Sequence, residues 1–412
     1  MCKLKIIFLG LFAVASLCLA VVAEAIDFKV KDWWLVSMQY GQNGNFCDHG
    51  HQGYDYLEDE FEARSRVRIQ LDAVASENLS GQVYFEIGKF IWGKGVGEQS
   101  GAPLGADARN VIKLKRAFIE WTIPDTRPRV KMGIQAFRTP YLALDGPIVM
   151  TADGAGVIAS YTVNDNIALT GFWMRPYNDN YVSPPDKNES GFMDNLDVGG
   201  LFIPLRFDGW DVTPRAMYCA IGPNTFKNNA GQFGNRVSQP DGNYFFSGMF
   251  PLLGDNPKIN DRKSSAYANI WRAGATGELT MFDPWRFAWE FTYGSVSWAG
   301  DEPLDRKGWM GAAILEYKLD WGMPGLYGWY ASGDDDDLSN GSERLPYLVN
   351  DFGVSGFSDT FAGLDINDME QDRVIDNTLI GTWGVGLRLK NVSFIRNLRH
   401  TPHGSLWGGT NS

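Results

Sequence analysis

The stretch from Phe61 to Asp72, FEARSRVRIQLD, alternates strictly between apolar or small side chains and polar ones. Its polar face carries three arginines in one row, Arg64, Arg66 and Arg68. Because successive side chains of a β-strand point to opposite faces, we predict a strand with a charged side and an apolar side. The arginines repel each other, so the charged side must lie in water with acidic side chains near it.

The same alternation recurs along the chain, in segments that suit tilted membrane strands of roughly ten residues. Clear cases are residues 82–87, 129–136, 271–281 and 286–293. We count fourteen such strands, including Val157–Val163 and Thr378–Ile395, and a partial fifteenth from about Thr401 to Gly409. The sequence therefore predicts an all-β fold, a transmembrane antiparallel up-and-down β-barrel.

Connections of two lengths alternate between these strands. Short turns rich in Asn, Asp, Gly and Pro are followed by long polar segments. The long segments include Thr139–Gly154, Pro176–Asn195, Gly222–Lys263 and Gly333–Asp376. Short turns at one end and long loops at the other are typical of outer-membrane barrels. The last residues read as the start of another loop, and an unpaired strand is not tolerated in lipid. We therefore expect 16 strands in the complete protein, with residues 26–412 forming a C-terminally incomplete barrel.

Aromatic residues are concentrated near the ends of the predicted strands, which suits girdles at two membrane interfaces. They are Trp33, Trp34, Trp92, Trp121, Tyr161, Trp210, Trp285, Trp298, Trp309, Trp321 and Trp329. An ordinary aromatic core is the alternative reading of this set taken by itself.

The first 25 residues have the features of a cleaved signal peptide. Lys3 and Lys5 precede an apolar run that ends at the A-x-A pattern of residues 23–25. The full sequence carries a net charge of −12, which argues against a nucleic-acid partner because that would require a basic face. Cys47 and Cys219 remain in the mature chain, and the sequence leaves open whether they pair.

The unit Lys115–Trp121, followed by a turn and Arg129–Gln135, resembles the strand–turn–strand unit that precedes the third loop of trimeric general-diffusion porins. The overall plan is most similar to the homotrimeric porins of sulfate-reducing bacteria. The likeness covers the mature chain in architecture, whereas its residue-level motifs are confined to this unit. Where such porins carry Gly-Arg-Gln, this chain has Ile134 in the middle position, so one expected arginine is in doubt.

The resemblance implies a homotrimer in the outer membrane of a Gram-negative bacterium, in contact with lipid and lipopolysaccharide. It also implies that the third loop, Thr139–Gly154, folds into the barrel and narrows the pore. Acidic residues of that loop would then face a basic wall, and such opposed charges filter solutes by size and charge. The constriction candidates are Arg64, Arg66, Arg68, Lys113, Lys115, Lys131, Asp145 and Asp153. Arg116 breaks the alternation after Lys115, and either a β-bulge or a trimer contact could explain it.

The sequence predicts no enzyme, no cofactor and no metal site. Of the four histidines, none accompanies a nucleophile motif. His49 and His51 lie beside Cys47 without the spacing of a zinc motif, and Asp334–Asp337 lacks the spaced ligands of a calcium loop. The predicted function is passive diffusion of small hydrophilic solutes and ions. The alternatives are a channel selective for sugars or organic anions, and a non-conducting surface barrel that acts through its long loops.

Overall fold

The fold is taken from a computed structural model of the chain. It describes residues 26–41, 60–93, 101–102, 112–143, 149–178, 195–221, 268–297, 305–335, 337, 340–347, 380–395 and 398–411. Among these residues no helix is long and apolar enough to cross a membrane. The predicted signal peptide, Cys47, His49, His51 and Asp145 lie outside the described residues. Cys219 is a buried free thiol.

The described chain is built of β-strands. They are β1 (Asp27–Gly41), β2 (Glu60–Ser76), β3 (Leu79–Trp92), β4 (Gly101–Ala102), β5 (Ile112–Thr122), β6 (Pro128–Arg138), β7 (Thr151–Thr162), β8 (Ala168–Asn178), β9 (Asn195–Phe202), β10 (Leu205–Phe207), β11 (Trp210–Ile221), β12 (Ala268–Leu279), β13 (Trp285–Ser297), β14 (Arg306–Tyr317), β15 (Met323–Ala331), β16 (Thr382–Lys390), β17 (Val392–Ile395), β18 (Leu398–His400) and β19 (His403–Gly409).

Each wall strand pairs antiparallel with the next one along the chain, from β1 and β2 through to β16 and β19. β9 and β10 form one strand interrupted at Ile203 and Pro204, because both pair with β11. β4 is a two-residue parallel addition to β3, and β17 pairs only with β18. Within the described residues this gives fifteen wall strands in one sheet. The predicted all-β, antiparallel up-and-down barrel is confirmed, whereas the number 16 stays a prediction.

The two faces of the wall differ as the alternation predicts. In β13 the side chains of Glu290 and Thr292 are buried on the inner face, while Phe291 and Tyr293 point outward and are exposed. The next strand repeats this, since Trp309 of β14 is exposed and stacks on Tyr330 of β15 at 5.2 Å between ring centroids. An outward face of this composition needs an apolar surrounding, as a membrane strand does.

The ends of the wall are also unlike each other. β12 and β13 are joined by residues 280–284, and β14 and β15 by residues 318–322. At the other end, β11 stops at Ile221 and β12 starts at Ala268, while β15 and β16 are separated by residues 332–381. We call these the short-turn end and the long-loop end of the barrel.

Most predicted strands differ from the structure by a few residues at their ends, and two differ by more. The strand predicted at Val157–Val163 begins earlier, at Thr151, because β6 continues to Arg138 and offers it a pairing edge. The strand predicted at Thr378–Ile395 was wrong at both ends. β16 starts at Thr382 and stops at Lys390, because Asn391 adopts a left-handed φ of 64° that breaks the extended run.

The inner face is not uniformly polar. A cluster of buried apolar side chains covers it on the strands that follow β6, including Phe172, Met174 and Val198. Part of the segment between β6 and β7 belongs to the same cluster, namely Ala143, Val149 and Met150, with Leu142 packed against it. This apolar patch explains why the described part of the segment lies on the inner face, because there it removes its own apolar side chains from water.

Candidate functional site

The arginine row of β2 lies in register with an acid on the neighbouring strand. Glu86 of β3 accepts from Arg68, with Nη2–Oε2 at 2.7 Å, and its Oε2 lies 3.7 Å from Nη1 of Arg66. Arg64 and Arg66 are 7% and 3% exposed. Thus the acidic neighbour that the like-charged row requires is present on the same face.

Trp33 of β1 belongs to this inner surface as well. Its ring centroid lies 5.1 Å from the guanidinium of Arg66 and 5.4 Å from that of Arg68. Cation–π contacts of this kind hold the charged groups flat against the wall. The prediction that Trp33 belongs to a membrane girdle is therefore wrong.

The next basic residues lie on β5 and β6 around a bulge. The register between β3 and β5 shifts between Tyr84 and Phe85, which leaves Lys115 as the extra residue and brings Arg116 opposite Tyr84. Of the two explanations for the broken alternation, the structure has the bulge. Lys113, before the bulge, lies opposite Glu86 and is exposed.

Asp153 occupies a different place from the one predicted. It lies within β7, not in the loop, and its carboxylate binds Arg116 Nε at 2.7 Å and Lys115 Nζ at 3.3 Å. The sequence TADGAG at 151–156 has no apolar alternation, so the strand start could not be read there. Asp153 and Lys115 thus come together directly as an ion pair instead of facing each other across a pore.

Lys131 of β6 pairs with Glu120 of β5, with Nζ–Oε2 at 3.0 Å, and lies 5.2 Å from the ring centroid of Phe118. Gln135, in the unit that resembles porins, is 2% exposed and donates to the carbonyls of Lys131 and Gly156. Ile134 stands where the similar porins carry an arginine. It is 37% exposed and lies beside Met132 on the outer face of β6.

A second charged surface lies on β11 and on the strands that follow it, and none of its residues was among the predicted site residues. Glu316 is 1% exposed and accepts from Arg286 and from Arg388, at 2.6 Å and 2.7 Å. Arg286 also binds Glu278 at 2.8 Å. Arg215 of β11 binds Glu290 of β13 at 2.6 Å. The alternating pattern contains these residues, but only the strand register shows that they meet.

The two surfaces are linked by the segment between β6 and β7. We call its described residues, 139–143 and 149–150, the inner loop. Its base is closed by the hydrogen bond from Thr139 N to Met150 O, at 3.1 Å. Its first residues reach β11 and β13, where Arg215 donates to the carbonyl of Pro140 and Arg286 donates to that of Leu142 at 3.0 Å. The inner loop therefore lies on the inner face, against strands far from its own.

No protein-family model matches this sequence, and no curated protein matches it. Among solved structures, a loop-deletion mutant of OmpT, an outer membrane protein of Vibrio cholerae, is 10% identical over 94% of this chain and 95% of that one, with a TM-score of 0.47. OmpF of Salmonella typhi is 10% identical over 92% and 90%, with a TM-score of 0.42. OccK11 of Pseudomonas aeruginosa is 10% identical over 89% and 73%, with a TM-score of 0.42. Similarity at this level identifies no family for the chain.

Proposed function

We propose that this chain is an outer-membrane channel of the porin type, through which small hydrophilic solutes and ions diffuse passively. The observation that carries the proposal is the inner loop, which crosses from β6 to bind Arg215 and Arg286 on a charged inner wall. Ion pairs on an inner face are stable when water or further charges surround them, and unfavourable in an apolar lumen. A barrel of this kind holds water inside and lipid outside.

The pore is narrowed where the inner loop lies. Basic side chains line the pore around this narrowing. They belong to the arginines of β11, β13 and β16 and, on the early strands, to Arg64, Arg66, Arg68, Lys113, Lys115 and Lys131. The carboxylate of Asp153 offsets part of the positive charge of Lys115 and Arg116. Asp145 is the remaining acidic residue that we propose for the third loop. Charges of both signs at one level of a pore select solutes by charge as well as by size.

The chain acts in the outer membrane of a Gram-negative bacterium, after export with residues 1–25 as its signal peptide, and it contacts lipid and lipopolysaccharide there. We propose a homotrimer, with outer faces of the early strands buried between subunits. Phe28, Val30 and Trp34 support this, because they are 67%, 66% and 71% exposed on the outer face of β1. Mass measurement of the detergent-solubilised protein tests it, and the mass of one chain would contradict it.

The channel is not an enzyme, and its function requires no cofactor. A second candidate is a barrel that does not conduct and acts through its surface loops. The apolar cluster on the inner face favours that candidate, because it fills part of the lumen. Selectivity for sugars or organic anions is a narrower form of the first candidate, for which the paired arginines on the inner wall supply anion-binding groups.

Liposome swelling distinguishes these candidates. Vesicles that contain the folded protein are placed in isotonic solutions of uncharged sugars of increasing size. In a non-specific channel the swelling rate falls smoothly as the sugar becomes larger. In a selective channel the swelling rate for one sugar deviates from this dependence on size. No swelling with any sugar, in vesicles shown to contain folded barrel, contradicts the channel proposal.

A further inference from the structure

A second segment also lies on the inner face, and it is unrelated to the third loop. Residues 341–347 belong to the long connection between β15 and β16, and we call them the outer strap. Ser342, Leu345 and Tyr347 are 1%, 0% and 2% exposed. In an external loop surrounded by water, these side chains would be exposed. The outer strap is therefore packed against the barrel wall.

The outer strap is held by two arginines of the inner wall. Arg306 donates from Nε to Arg344 O at 3.0 Å and from Nη2 to Leu345 O at 2.9 Å. Arg272 donates from Nε to Pro346 O at 3.0 Å. Both arginines are buried, at 0% and 4% exposure. Hydrogen bonds from charged donors are the strong ones, and here they satisfy main-chain carbonyls that would otherwise be buried alone.

The backbone of the wall adds to this anchorage. Lys307 N donates to Ser342 O at 2.8 Å, and Ser342 N donates to Asp305 O at 2.9 Å. Gly308 makes the close approach possible, since a Cβ there would overlap the backbone of Glu343 and Leu345. The wall is therefore shaped to receive the outer strap at the start of β14.

The outer strap and the inner loop lie at different depths. Arg306 is the first residue of β14 and Arg272 lies in the first half of β12, both toward the long-loop end. The inner loop is bound by Arg286, the second residue of β13 at the short-turn end, and by Arg215 in the middle of β11. A solute that enters from the long-loop end reaches the outer strap first.

We infer that the outer strap, residues 341–347, forms a second constriction of the pore on its long-loop side, fixed by Arg306 and Arg272. The inference rests on the proposed channel function, and it assigns the outer size limit to this segment and not to the third loop. Small hydrophilic solutes pass beside it, and larger ones are stopped before they reach the inner loop.

The test compares three single substitutions in the full-length protein. Arg306→Met removes the charged donor and keeps the unbranched apolar part of the side chain. Gly308→Ala removes no charge and forces the outer strap off the wall. Lys307→Met is the matched control, because it removes a positive charge from the neighbouring exposed position of β14. Only variants that still show the heat-dependent shift in electrophoretic mobility of a folded barrel are compared.

Two readouts are taken for each variant. Release of the outer strap is measured in a Cys47→Ser, Cys219→Ala, Leu345→Cys background by labelling with a membrane-impermeant maleimide. Its rate should rise at least about tenfold in Arg306→Met and Gly308→Ala, the factor that about 1.4 kcal/mol of lost anchorage represents. Single-channel conductance should rise in the same two variants, and neither readout should change in Lys307→Met.

Three outcomes would contradict these expectations at different points. Faster labelling without a change in conductance shows that the outer strap does not limit the pore. Unchanged labelling in both variants shows that Arg306 and Gly308 do not control its docking. A wild-type protein that inserts but never conducts overturns the channel proposal, and labelling then still reports whether the outer strap is anchored.

Discussion

The docking of the inner loop depends on Met150, and Met150→Ala is the substitution that tests it most sharply. The side chain of Met150 is fully buried in the apolar cluster of the inner face, at 0% exposure. Its carbonyl closes the base of the inner loop by accepting from Thr139 N. The substitution removes the apolar contacts and leaves this backbone hydrogen bond possible.

Truncation of a buried methionine to alanine costs about 2–5 kcal/mol. If that cost falls on docking of the loop, the ratio of docked to undocked loop falls by a factor between roughly 30 and 4,000, because each 1.4 kcal/mol is tenfold. A loop that is always docked in the wild type would then undock often enough to observe. We expect discrete steps to higher conductance in single-channel recordings.

Met132→Ala is the matched control, because it is the same chemical change on the outer face of β6, where Met132 is 38% exposed. It should leave both conductance and current noise unchanged. Recordings are made in planar bilayers, on protein whose thermal unfolding has been measured in detergent. Met150→Ala channels whose current noise equals that of the wild type, in a protein with a lowered unfolding temperature, would refute the proposed link between burial of Met150 and the width of the pore.

Three further substitutions address the charged surfaces, and a fourth, in an exposed turn, is their control. Glu86→Gln removes the buried counter-charge of the β2 arginines, so the reversal potential in a salt gradient should shift toward anion selectivity; a shift toward cations would contradict the placement of this face in the pore. Asp153→Asn should shift the reversal potential in the same direction by a smaller amount, because its partners are partly exposed. Glu316→Gln removes the shared carboxylate of Arg388, which is buried, and of Arg286, which is partly exposed and keeps Glu278. It should destabilise the barrel by about 3–5 kcal/mol, measured by urea unfolding in detergent. Asp283→Asn, in an exposed turn pair, should change stability by less than about 1 kcal/mol.

The faces of single strands could be predicted from the sequence because alternation is a local property. In β13 the pattern already separates Glu290 and Thr292 from Phe291 and Tyr293. The same holds for the arginine row of β2, where the structure adds only the identity of the acid, Glu86. The fold class follows from many such segments.

Contacts between strands could not be predicted, because they depend on register. Arg286, Glu316 and Arg388 lie on three strands, and Glu316 and Arg388 are 72 residues apart in the sequence. Nothing local indicates that one carboxylate serves both arginines. The bulge at Lys115 is an intermediate case, since the broken alternation revealed an irregularity but not its kind.

The inward segments were the hardest part to predict. The inward position of the third loop came from a family resemblance, and Asp153 was assigned to that loop although it lies in β7. The outer strap was assigned to the long polar segment Gly333–Asp376, because SERLPY at 342–347 is short and half polar. Its burial results from arginines on β12 and β14, which sequence spacing cannot bring together.

The proposed function requires that the charged inner wall lines an aqueous pore. Single-channel recording of the full-length protein in planar bilayers, with the reversal potential in a salt gradient, tests it most directly. We expect stepwise conductance in groups of three, and a reversal potential that moves toward anion selectivity in Glu86→Gln. Bilayers that stay silent although the folded barrel has inserted would contradict it and favour a surface barrel that does not conduct.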